Sequence, residues 1–128
     1  MPLAVQLVSP ERILFEGEAE MVVCRPVDGE IAFLAGHVPF LGALRDDPVR
    51  ILMPGGAETA VAVHGGFVEV SHNKVSILSD LAEMSDHIDV DRARRARERA
   101  QEQIKHEHDA EVEAALRRAH ARLAAAGS

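Results

Sequence analysis

Hydrophobic positions change their spacing once along this chain, near Met84. Before that point they come in short runs rich in β-branched residues, each closed by turn-forming residues. Leu3 to Val8 is the first run. Arg12 to Phe15 follows and closes at Glu16-Gly17; Ala19 to Val27 closes at Asp28-Gly29; Ile31 to Leu34 leads into Gly36-His37-Val38-Pro39. Val49 to Met53 ends at Pro54-Gly55-Gly56, Thr59 to His64 at Gly65-Gly66, Phe67 to Val70 at Ser71-His72-Asn73, and Val75 to Leu78 at Ser79-Asp80. Short strands with turn signals every ~8–12 residues predict a sandwich or barrel. The strand over 59–64 is apolar on nearly both faces, which predicts burial between layers. Gly65-Gly66 reads as a bulge or tight corner rather than a phosphate loop.

After Met84 the strong helix formers Ala, Arg, Glu and Gln dominate and Pro is absent. Asp89 is placed to cap a helix, and Asp91 adds negative charge to its first turn. Ala93, Ala96, Ala100 and Ile104 recur at helical spacing, and Asp91–Arg95 and Arg94–Glu98 are opposite charges four residues apart. His106-Glu107-His108-Asp109 interrupts the pattern. A second stripe follows in Val112, Leu116, Ala119 and Leu123, with acids at its start, Arg117, Arg118 and Arg122 toward its end, and Gly127 closing it. The reading is an αα-hairpin. An alanine seam removes little apolar area from water, at about 25 cal/mol per Å², and helices this short are marginal alone. The hairpin is therefore expected to be the easily displaced part of the molecule, as a conformational switch requires.

The totals narrow the field. A chain of 128 residues fits one modest domain, or one small domain with an appendage. A formal net charge of −7 argues against a nucleic-acid binder. The arginines at 92, 94, 95, 97 and 99 are offset by neighbouring acids and read as a solvated face. No apolar run reaches the roughly 20 residues that span a bilayer, and no secretory signal is visible. Cys24 is the only cysteine and reads as a buried structural thiol. His37 has no second ligand at metal spacing, and His106 and His108 read as polar turn residues, so no metal site is expected. A nucleophile–base pair is also missing, so no catalysis is expected. Gly36 to Pro39 is a shaped loop: glycine permits unusual backbone angles, and Pro39 extends Val38. His37 is expected to stand exposed near its tip, on a scaffold suited to binding.

Three stretches together resemble the epsilon subunit of rotary F-type ATP synthases. They are Gly29-Glu30-Ile31 through Gly36-His37-Val38-Pro39-Phe40-Leu41-Gly42-Ala43-Leu44; Gly65-Gly66-Phe67-Val68-Glu69-Val70 with Val75-Ser76-Ile77-Leu78-Ser79-Asp80; and Ile88-Asp89-Val90-Asp91-Arg92-Ala93. The likeness covers nearly the whole chain, in order. It implies an all-β sandwich of about ten strands over 1–86, which docks on the rotor, followed by a regulatory antiparallel helical hairpin over 87–128. It also implies a non-catalytic central-stalk subunit that couples rotation of the c-subunit ring to ATP synthesis. The sandwich would contact the gamma subunit and the c-ring. The extended hairpin would reach the catalytic alpha and beta subunits and inhibit hydrolysis. Such a protein lies at the cytoplasmic face of the bacterial cell membrane, held there only through the complex. Glu30, Gly36, His37 and Pro39 match the rotor-facing edge.

Some members of the family bind ATP as a regulatory ligand where hairpin meets sandwich. Glu83, Asp89, Arg92, Arg118 and Arg122 occupy the matching places, and Arg99 is a looser candidate. Arg118 and Arg122, four residues apart, share a helix face. They read either as phosphate ligands or as surface arginines that complement the helix dipole. A small cupin-like metal-binding barrel with an appended hairpin is the alternative from another class, although His64 and His72 lack its ligand spacing. A free-standing helical regulatory domain is the third.

Overall fold

The computed structural model describes residues 2–26, 29–106 and 109–127. Eight strands come first: β1 (Leu3–Val8), β2 (Ile13–Ala19), β3 (Met21–Cys24), β4 (Ile31–Leu34), β5 (Phe40–Leu52), β6 (Glu58–Ser71), β7 (Lys74–Leu78) and β8 (Ala82–Met84). They pair in the order β2-β1-β7-β6-β5-β3-β4, and β8 adds to β6. Among the described residues only β1 and β7 pair in parallel. The long pair β5–β6 organises the rest. One half, 40–44 against 66–70, continues into β7, β1 and β2; the other, 46–52 against 58–64, carries β3, β4 and β8.

Between the halves the chain turns a corner at Gly65 (φ +73°) and Gly66 (φ +122°). A Cβ on Gly66 would lie 2.1 Å from the carbonyl oxygen of Leu78, so the backbones approach as closely as only glycine allows. The corner folds the sheet over a single core. Leu3, Leu7, Val68 and Ile77 from one half meet Val22, Phe33, Ile51 and Val61 from the other. Because β5 and β6 each run through both layers, eight continuous strands make the sandwich expected to have about ten.

Several strand limits differ from the expectation. β2 continues through Gly17 to Ala19, pairing Gly17 with Val5. The run expected over 19–27 breaks at Glu20, whose N–H donates to the carbonyl oxygen of Leu52 at 2.8 Å. Val27 and Asp28, expected to close that run, lie outside the described residues. Arg45-Asp46-Asp47-Pro48 does not break β5, because β6 pairs with it on both sides of that stretch. Pro48 sits between the residues joined to β3 and those bridged to Arg25 and Pro26, where its missing donor is tolerated.

A 3-10 turn (Ser85–His87) leads to α1 (Val90–Ile104) and α2 (Ala110–Ala126). Asp89 accepts the N–H of Arg92 at 3.0 Å, and Asp109 accepts that of Glu111 at 2.8 Å, so both helices are capped. Gly127 closes α2 in the left-handed conformation. The charge pair on the first turns of α1 is Arg94–Asp91, at 4.0 Å. His106 turns back to Glu102 at 3.3 Å; Glu107 and His108 lie outside the described residues. α1 packs on α2, and α2 packs on β5 and β6. Helix α2 therefore buries two faces: Val112, Ala119 and Leu123 on the stripe read from the sequence, and Ala121 and Ala125 opposite it. Ala62, on the outer face of β6, is fully buried under this cover.

Candidate functional site

A cleft of about 360 Å³ opens where the hairpin meets the sandwich, lined by Glu83, His87, Asp89, Arg92, Ala93, Ala96, Arg99 and Arg122. β8 supplies Glu83, the 3-10 turn His87, and the cap of α1 Asp89. Arg92 and Arg99 are seven residues apart on α1, two helical turns, so they share a face. Ala93 and Ala96 keep the wall between them low. Arg122 reaches in from α2, its Nε donating to Glu83 Oε1 at 2.7 Å. One oxygen of Asp89 is committed to capping α1. Among the described residues, no carboxylate lies within ion-pair distance of Arg92 or Arg99. The cleft thus offers three guanidinium groups against two carboxylates, a donor set suited to phosphate.

Arg118 does not belong to this cleft. It donates to Glu111 Oε1 at 2.9 Å, two turns back along the same side of α2, and stays 30% exposed. Sharing a helical neighbourhood with Arg122 does not bring it to the same cleft, because Glu111 two turns back holds its head. His87 was missed in the sequence, having no periodic or motif context. Below Arg122, His64 on β6 is almost sealed, and burial, followed by the charge of Arg122, pushes its pKa below the ordinary histidine range. Beside it Asp46 of β5 pairs with Arg117 of α2 at 3.6 Å. Cys24 is buried, and burial pushes its thiol up to about 12, so it is unreactive.

The 36–39 loop begins as a tight turn. The N–H of His37 donates to the carbonyl oxygen of Leu34 at 3.1 Å, with Gly36 at φ +84°. The N–H of Gly36 donates to Asn73 Oδ1 at 2.6 Å, so the β6–β7 turn holds this loop. His72 and Asn73 both have positive φ, the form that two-residue hairpins favour. His37 is not the exposed tip. Its ring stands edge-on to Phe33, centroids 4.9 Å apart, and is half-buried. Val38, 70% exposed, is the apex, with Leu34 and Leu41 exposed nearby. Gly36, His37 and Pro39 lie together. Glu30 does not join them: it precedes β4, at the far end of that strand, and pairs with Arg25 at 3.4 Å.

Comparison with known families settles what this architecture belongs to. The model of the ATP synthase delta/epsilon chain β-sandwich domain matches residues 2–85, and that of its long α-helix domain matches 86–127. The chain belongs to the ATP synthase delta/epsilon family. Its relatives point to the epsilon branch. It is 47% identical to the ATP synthase epsilon chain of Streptomyces coelicolor over 97% of this chain and 94% of that one. It is 44% identical to the epsilon chain of Bacillus pumilus, over 96% and 95%. A chain of the Euglena gracilis mitochondrial ATP synthase, solved as OSCP/F1/c-ring, has the same fold, with a TM-score of 0.87 at 23% identity over 99% of this chain and 82% of that one. Membership of the epsilon family displaces the cupin-like alternative. Among the described residues, no helix is long and apolar enough to cross a membrane.

Proposed function

We propose that this epsilon-family chain is a non-catalytic rotor subunit in the central stalk of an F-type ATP synthase, and that ATP holds its hairpin in the docked, non-inhibitory form. The observation that carries this is the cleft itself: Glu83, Asp89, Arg92, Arg99 and Arg122 converge on it from sandwich and hairpin. Lifting α2 off the sheet separates Arg122 from Glu83 and disperses the set, so a phosphate ligand bound there favours one state only. Its volume lies within the range of about 300–1,000 Å³ of small-molecule sites. ATP at a hundredfold excess over Kd adds about 2.7 kcal/mol to the docked state, enough to matter against an alanine seam. Among the described residues no glycine loop lines the cleft, and the ligand is read as held rather than hydrolysed.

The sandwich docks on gamma and the c-ring. The exposed apolar residues Leu34, Val38 and Leu41 around the 36–39 loop are the side chains that such a contact buries. When ATP falls, the released helices reach the alpha and beta subunits and restrain hydrolysis. The subunit sits at the cytoplasmic face of the bacterial membrane through the complex alone. The test is calorimetric titration of ATP into the isolated protein, unmodified and as Arg92→Ala and Arg122→Ala. Binding that weakens at least tenfold in both variants is expected. Absence of heat at millimolar ATP, or variants that bind like the unmodified protein, removes the nucleotide from the mechanism and leaves rotor torque or proton-motive force to drive the hairpin.

A further inference from the structure

Beneath α2 lies a histidine that the nucleotide reading does not use. His64 stands on β6, on the outer face shared with Ala62, opposite Asp46 of β5. Its side chain is only 3% exposed, and among the described residues neither ring nitrogen has a partner in hydrogen-bond geometry. Glu83 Oε1 is 3.4 Å from Nε2, out of line for a hydrogen bond, and that oxygen already accepts from Arg122. The charges that face the ring come from every element around it: Glu83 from β8, Asp46 from β5, and Arg122 from α2. Arg117, also from α2, holds Asp46. The 3-10 turn contributes His87, which lines the adjoining cleft. Two acids of the sheet are thus clamped by two arginines of α2, with a dry, unpartnered imidazole between the clamps.

We propose that His64 is a proton-operated latch, whose protonation releases α2 from the sheet. While α2 is docked, a positive charge on the ring would enter a gap that excludes water, beside carboxylates already neutralised by arginine. Once α2 lifts away, both arginines leave with it. The ring then stands in water beside the free carboxylates of Glu83 and Asp46, which favour the imidazolium. In the docked state desolvation and the charge of Arg122 act in the same direction and outweigh the opposing pull of Glu83 and Asp46. The docked pKa is lowered, burial being the larger cause and Arg122 the next. Docking is therefore at full strength above the undocked pKa, close to the ordinary value of about 6.5, and weakens as pH falls toward the lower docked one. Each unit between the two values multiplies the release constant about tenfold at low pH. Acidification would free the helices independently of nucleotide.

Amide hydrogen exchange on the full-length protein, without ATP, tests this. Protection of residues 110–126, corrected for intrinsic exchange rates, is compared at pH 8 and pH 5.5 in the unmodified protein and in His64→Gln. The expected result is a fall in protection of up to about tenfold in the unmodified protein, a much smaller fall in the variant, and no fall in the core strands of either. An equal fall in both overturns the proposal. Should His64→Gln fold poorly, NMR titration of the His64 ring in the unmodified protein decides: a pKa below the ordinary histidine value supports the latch, and one at or above it overturns it. Failure here leaves the nucleotide reading standing, since no nucleotide is present.

Discussion

The sandwich and the hairpin are buried by opposite means. Between the layers of the sandwich the fully buried residues are large: Phe33, Leu3, Leu7, Ile51 and Ile77 among them. In the hairpin the buried residues are mostly alanines, at 93, 100, 119, 121 and 125, with Val112 and Leu123 the larger exceptions. A buried Leu or Phe side chain contributes about 1.5–3 kcal/mol; an alanine methyl contributes a fraction of that. What joins hairpin to sheet is instead polar and specific, Arg122 to Glu83 and Arg117 to Asp46. Ion pairs of this kind set register while giving modest net stability, because water can replace each partner. Large apolar burial is therefore concentrated in the sandwich, and charged pairs span the boundary with the hairpin.

The sharpest way to break that contrast is to weaken the core. Phe33→Ala removes a ring that packs against both His37 and Phe40. Denaturant unfolding should show a loss of about 3–5 kcal/mol, with the whole protein melting together. A loss confined to the 36–39 loop would show that the layers do not depend on Phe33.

Crowding the seam should do the reverse. Ala121 is 1% exposed on α2. Ala121→Leu overfills the interface at a cost of about 1–3 kcal/mol, charged to docking alone. Amide exchange in 110–126 should accelerate while the strands keep their protection. A truncation after Ser85 is expected to remain folded for the same reason, and to relieve inhibition of hydrolysis in the reconstituted complex. Were either change to unfold the sandwich, the hairpin would be part of its core.

How much of this was legible beforehand follows from which interactions are local. Helix ends at Asp89 and Gly127 were readable because a cap acts within a turn of its own residue; Asp109, the cap of α2, read only as an acid at the break before that helix. The layered burial of Val61, Ala62 and Val63 was readable because both strand faces are apolar. The fusion of β5 through Arg45-Asp46-Asp47-Pro48 was not, since charged residues and proline read as a break unless the partner strand is known. The second buried face of α2 was hidden for a similar reason: alanine suits any environment, so Ala121 and Ala125 carry no signal of their own. Within the cleft, the candidate phosphate ligands were the matching places that the resemblance implied. They did not separate Arg122 from Arg118, because Glu111 decides that and lies on the same helix. Asn73 was missed as the support of the 36–39 loop because an asparagine in a turn already has a local reason to be there.

A smaller effect is expected at Gly36. Its φ of +84° is unfavourable for a side chain, although nothing lies within 4 Å of a Cβ placed there. Gly36→Ala should therefore cost only backbone strain, roughly 1–2 kcal/mol, and loosen the loop from Asn73. Thermal melting should stay cooperative while cross-linking from Val38 to the rotor falls. A collapse of the melting transition would place the glycine in the service of the core.

The smallest effect on stability, and the cleanest on function, separates two arginines four residues apart. Arg118 pairs with Glu111, which is 78% exposed, and both residues lie on α2 itself. Such a pair contributes about 0–1 kcal/mol, and removing it neither opens the cleft nor frees the sheet. Arg122 crosses from α2 to Glu83, with both side chains about a quarter exposed, at 26% and 27%. Arg118→Ala should therefore leave hairpin docking and ATP affinity within about twofold, a difference below roughly 0.5 kcal/mol. Arg122→Ala should weaken both, since it removes a phosphate donor and strips Glu83 of its partner beside His64. Paired measurement of amide exchange in 110–126 and ATP titration distinguishes them. If Arg118→Ala lowers ATP affinity as much as Arg122→Ala does, Arg118 must leave Glu111 and turn into the cleft when nucleotide arrives. The seam would then rearrange on binding, and the contrast between a fixed sandwich and a merely detachable hairpin would give way to one in which α2 changes its own pairing as well as its position.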